Sequence, residues 1–141
     1  MGLVHQAGTA LLLVTLTIWL QCGGIAMLIT WARGAVTGDI QKLGPFRSAV
    51  LVVRVTTAVI SLHGFQVLLW ACCYRCFCFP SWESALYFSA SSYATVGYGD
   101  IVLPAKWRML GPLESMIGVL MCGVSVSLLF AIATRLIGRE S

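Results

Sequence analysis

Three long apolar runs, approximately Gly8–Trp31, Ser48–Tyr74 and Trp107–Ile137, dominate the chain, and a shorter amphipathic stretch and a polar, glycine-containing segment separate the last two. Crossing a bilayer takes about 20 helical residues, so each long run predicts a membrane-spanning helix. The first, with Leu11, Leu12, Leu13, Val14, Leu16, Ile18 and Leu20, is apolar on every side. That pattern predicts a peripheral, lipid-facing span without evident chemistry. The stretch after Pro80 predicts a different element: Ser81 suits an N-cap, and Glu83 in the first turn suits the positive end of a helix dipole. At about 20 Å this short helix covers half a membrane, so it is expected to be re-entrant. Irregular backbone at membrane depth is tolerated only where protein or water surrounds it. The negative, C-terminal end of such a helix, near Ala94, would favour a cation in a cavity at the membrane centre.

Composition agrees with the pattern. Apolar residues make up 59% of 141 and charged residues 10%, with a mean hydropathy of +0.91, which excludes an ordinary soluble domain. The net charge of +4 comes from nine scattered Lys and Arg, which form no patch for nucleic acid. They set orientation instead. Arg33, Lys42 and Arg47 lie between the first two spans and Arg135 and Arg139 follow the third, whereas Met1–Ala10 carries no Lys or Arg. The N-terminus is therefore expected outside and the C-terminus in the cytoplasm of a multi-pass cell-membrane protein, with Arg75, Lys106 and Arg108 counting against the rule. The first span lacks the basic start and cleavage site of a signal peptide and is read as retained.

Polar positions inside the spans are costly and therefore informative. Arg54 lies about 9 Å from the start of its helix and can snorkel. His63 and Gln66, three apart, share a face that should point at protein. Cys72, Cys73, Cys76 and Cys78 cluster at the outer end of the same helix. Small apolar packing, a disulfide and a metal site are all open for them. Gly23-Gly24 offers a place for close helix contact.

The run Thr95-Val96-Gly97-Tyr98-Gly99-Asp100 carries the chemistry. A dehydrated cation needs a cage of oxygens, and backbone carbonyls supply one where the chain turns successive C=O groups to one side. Gly97 and Gly99, alternating with larger residues, permit the positive-φ backbone this requires. One chain gives one wall of each oxygen ring, so the motif calls for a symmetric oligomer. On the third span Cys122, Val126 and Phe130, spaced by four, are candidates for a cavity wall, with Phe130 as a constriction.

From about Trp82 to Ile137 the chain resembles the pore module of tetrameric potassium channels, most closely the small bacterial members. The resemblance implies an all-α membrane protein with three transmembrane helices, a re-entrant pore helix and a filter loop. Residues 1–47 would form an added helix and cytoplasmic loop. Residues 48–141 would form the pore module, with outer helix 48–74, pore helix 81–94, filter 95–99 and inner helix 107–139. It implies K⁺ bound at Thr95, Val96, Gly97, Tyr98 and Gly99, a homotetramer in membrane lipid, and no catalysis or cofactor. Nucleic acid and small-molecule substrates other than ions are not expected. By the same resemblance Asp100 should hydrogen-bond Tyr87 and Gly118 should be a gating hinge, with close helix packing as the other reading of that glycine. The Pro-x-Pro kink of voltage-gated members is replaced by Ser125-Val126-Ser127, and Ala94 and Ser91 replace residues that support the filter in other members. Glu114 is expected to compensate by pairing with Gln66, His63, Ser91 or Ser92. A non-selective cation channel and a non-conducting modulatory subunit are the alternative functions.

Overall fold

The computed structural model describes residues 2–35 and 44–137. Within them the order is α1 (Gly2–Ala35), α2 (Pro45–Phe77), α3 (Trp82–Tyr93), a 3₁₀ turn (Ala105–Trp107) and α4 (Leu110–Ile137). The three long helices are each apolar and long enough to cross a membrane. α1 extends a turn or more beyond its apolar run at both ends and α2 by three residues at each end, because helices continue past the hydrocarbon edge into the interface, whereas α4 starts three residues inside its run. Pro45 opens α2 at a position where its missing N–H costs nothing. At the other boundary α4 begins at Leu110, after the 3₁₀ turn, and Pro112 falls in its first turn for the same reason. The expected end of the inner helix at Arg139 lies outside the described residues.

The short helix is bounded as expected. Ser81 takes extended backbone and its Oγ accepts from the Ser84 N–H at 3.2 Å, while Glu83 sits in the first turn. Ala94 closes the other end, its N–H donating to the Ala90 carbonyl. Twelve residues give about 18 Å, so α3 is too short to cross a membrane.

One core joins all four helices: Leu13 of α1, Trp70, Ala71 and Tyr74 of α2, Ala85 of α3, and Leu110, Ile117 and Met121 of α4, with Leu103 from the loop. A second cluster around Leu51, Val55 and Val59 meets Leu28, Leu129 and Ile132 at the opposite end. In a membrane such packing has no hydrophobic drive between helices, so close contact and hydrogen bonds carry the association. Gly24 shows the first of these. A Cβ there would lie 2.6 Å from a Leu62 methyl, so α1 and α2 touch closely at this point, whereas nothing opposes Gly23.

The first span departs from expectation. Ala10, Leu13, Thr17 and Gln21 form a buried stripe, while Leu11, Leu12 and Trp19 face outward. It is a packed helix with a polar seam rather than a peripheral span without chemistry.

Candidate functional site: the loop after α3 and the polar ring beneath it

The loop backbone is set by the end of α3. The N–H groups of Thr95, Val96 and Gly97 donate to the carbonyls of Ser92 (2.9 Å), Ser91 (2.9 Å) and Ser91 (3.2 Å). No peptide among the described residues is cis, so each planar unit directs its C=O opposite to its N–H. The carbonyls of Ala94, Thr95 and Val96 therefore project away from the helix, on one side of the chain. Positive φ at Thr95 (60°), Gly97 (54°) and Gly99 (79°), alternating with Val96 and Tyr98, supports this alignment. Two of the three are glycines, as the conformation favours; Thr95 bears the strain. Every residue from Ala94 to Asp100 is exposed in the single chain. A row of exposed carbonyls can coordinate a cation, and it needs other oxygens opposite to complete a cage.

The C-terminal end of the loop is tied back to α3. Tyr87 donates its hydroxyl proton to Asp100 Oδ2 at 2.8 Å, and the Tyr87 and Tyr98 rings stack with centroids 6.4 Å apart. The hydrogen bond to Asp100 is the main reason the Tyr87 phenol titrates above its ordinary range, with desolvation adding to it.

Beneath the loop, polar side chains from all four helices close a ring. Tyr93 donates to Gln66 Oε1, Gln66 to Gln21 Oε1 (2.5 Å) and Gln21 to Ser125 Oγ (2.8 Å). His63 bridges the remaining gap, Nε2 lying 2.9 Å from Ser125 and Nδ1 2.8 Å from Tyr93. Donor counting fixes its tautomer. The one Tyr93 proton goes to Gln66, so His63 donates from Nδ1, and Ser125, accepting from Gln21, donates to Nε2. Every link then runs in the same sense. Gln21 also reaches the Met121 carbonyl, and Trp70 donates to Thr17 of α1 at 3.0 Å.

His63 and Gln66 thus face protein, as their spacing requires. The sequence alone does not mark Gln21, Thr17, Tyr93 or Ser125 as members of this network. A signal existed for the first two: a threonine and a glutamine four apart within an apolar run share one helix face and need a protein partner.

Glu114 is fully buried, but its partners differ from those expected. Tyr74 donates to Oε2 at 2.7 Å and Ser89 to Oε1 at 2.5 Å, and neither Gln66, His63, Ser91 nor Ser92 bonds it. The reason is helical phase: Tyr74 and Ser89 project toward α4 at that depth, whereas Gln66 and His63 are consumed by the ring. Ser92 is engaged through its backbone, its carbonyl accepting from Ser115 as well as from Thr95. Gly118 is buried, and a Cβ there would run into the Tyr93 carbonyl oxygen and lie 3.3 Å from its ring. Close approach of α4 to the end of α3 thus gives this glycine a structural reason.

Cys122, Val126 and Phe130 are exposed along one face of α4. Arg54 lies over the Trp31 ring at 5.5 Å, so its charge is met by an aromatic face of α1. All six thiols are free, and burial pushes the Cys78 thiol up to about 11, with nearby Lys106 opposing the shift. A thiol in that range is protonated at neutral pH and a weak metal ligand.

Residues 49–135 match the profile of an ion-channel family. The match takes in nearly all of α2 with α3, the loop and most of α4, and leaves α1 outside it. No curated protein and no solved structure matches the chain.

Proposed function

We propose, from the premise that this chain belongs to the ion-channel family matched by its residues 49–135, that it is a potassium-selective channel. Four copies surround a central pore, with α3 as the re-entrant pore helix and Thr95–Gly99 as the selectivity filter. The observation that carries this reading is the N–H bonding of Thr95, Val96 and Gly97 to the C-terminal carbonyls of α3, which leaves the Thr95 and Val96 carbonyls free on the far side. Successive oxygen rings from four such loops replace the hydration shell of K⁺.

The exposed face of α4 through Cys122, Val126 and Phe130 then lines the cavity below the filter, and the end of α3 points its negative dipole there. Asp100 and Tyr87 brace the filter at its outer end, while the ring through Tyr93 braces it from below. Passive flux needs no cofactor and no bond-making chemistry. The N-terminus lies outside and the C-terminus in the cytoplasm, following the basic residues.

Reversal potentials of the purified protein in planar bilayers test the reading. Under opposed K⁺ and Na⁺ gradients the potential should follow K⁺ alone. A potential set by the sum of both ions shows a non-selective pore, and a silent bilayer containing assembled protein shows a subunit that does not conduct by itself.

A further inference from the structure

At the end of the bundle away from α3, helices α1, α2 and α4 enclose a cavity of about 210 Å³. Its walls are apolar and at least half buried, formed by Leu28 of α1, Leu51 of α2, and Leu128 and Ile132 of α4. Arg33 from the last turn of α1 and Arg135 from the last turn of α4 also line it, and both are exposed. Two guanidinium groups from different helices therefore stand at the mouth of one apolar cleft.

Each arginine offsets the negative end of its own helix, an effect worth a fraction of one charge, so among the described residues the pair leaves net positive charge at the opening. The start of α2 adds to it. That helix has no side-chain cap and no acidic residue in its first turn, and Arg47 lies there. Ser48, one turn before Leu51 and outside the cavity lining itself, has a buried Oγ without a hydrogen-bond partner. A buried hydroxyl in that position is a donor in want of an acceptor.

We propose that this cleft binds an anionic phospholipid, with its phosphate between Arg33 and Arg135 and an acyl chain against Leu28, Leu51, Leu128 and Ile132. The two parts of the site require the two parts of the ligand. A neutral lipid fills the apolar cleft but leaves the arginines unmatched; a free phosphate meets the arginines but leaves the cleft empty. Guanidinium suits the phosphate because it donates in a bidentate fork. The bound lipid ties the first helix to the two helices of the family-matched region at the membrane edge.

Native mass spectrometry of the purified channel tests this without any conduction measurement, so its outcome is separate from that of the potassium reading. Phosphatidylglycerol should bind about thirtyfold more tightly than phosphatidylcholine with the same chains, taking roughly a fivefold gain from each of the two arginines. Arg33→Gln with Arg135→Gln should abolish the preference, and Leu128→Trp, which fills the cleft and keeps both charges, should weaken phosphatidylglycerol binding. Equal binding of the two lipids by the unaltered protein overturns the proposal, and that comparison needs no variant to fold. A preference retained in the double variant, or glycerol phosphate competing as well as the lipid, overturns it too.

Discussion

Gln21 of α1 donates to the Ser125 hydroxyl of α4 across 2.8 Å, joining positions 104 residues apart. The same amide reaches the Met121 carbonyl, and its oxygen accepts from Gln66. The first helix, which lies outside the family match, thus completes a ring whose other members belong to the matched region.

Replacing Gln21 with leucine removes all three links while keeping the side chain's bulk. Gln66 and Ser125 then lose partners in a buried setting, at a cost of about 1–3 kcal/mol. Unfolding of the purified protein in mixed detergent and lipid should show this loss, accompanied by release of α1 to proteolysis. An unchanged stability would mean that the ring contributes nothing to holding α1.

Gly118 and Gly64 make a matched pair, because a Cβ at Gly118 meets the Tyr93 carbonyl and one at Gly64 meets nothing. Gly118→Ala should cost about 1–3 kcal/mol through overpacking. Gly64→Ala should be neutral or stabilising by up to about 1 kcal/mol, because alanine is the better helix former. If Gly118 served only as a bend, alanine there would alter gating and leave stability unchanged.

The Tyr87–Asp100 pair sets a pH sign. The donating form of Tyr87 is the neutral phenol, and the bond to Asp100 raises its titration above the ordinary value of 10.0. Whatever the pair contributes is therefore complete below that ordinary value and is lost as pH rises through the raised one. Asp100→Ala should let one phenol ionise at lower pH in an ultraviolet tyrosinate titration, and Tyr87→Phe should abolish the difference. Identical titrations with and without Asp100 would show that the bond does not form in solution.

Glu114 is met by two hydroxyls, Ser89 and Tyr74, from two different helices. A double-mutant cycle between Glu114→Gln and Ser89→Ala should give a coupling of about 0.5–3 kcal/mol, and a cycle with Tyr74→Phe a coupling of the same order. The cycle between Glu114→Gln and Gln66→Leu, which do not touch, should give a value near zero.

Much of this protein could be read from the chain alone because the signals are local. A run of apolar residues long enough for a bilayer predicts a helix whatever it packs against, and Ser81 with Glu83 announces the start of α3 without tertiary help. Gly97 and Gly99 likewise predict positive φ at those two positions, and both have it, whereas the positive φ of Thr95 has no such signal in the chain. Tertiary structure decided how the polar residues pair. The spacing of His63 and Gln66 put them on one face, but spacing does not give azimuth in the bundle, and only the rotation of each packed helix sends Glu114 to Tyr74 and Ser89. For Gln21 the sequence showed a polar residue in an apolar helix, and the packing of α1 against α2 and α4 supplied its partners. Hydrogen bonds between helices depend on rotation and contact, which composition and spacing do not contain.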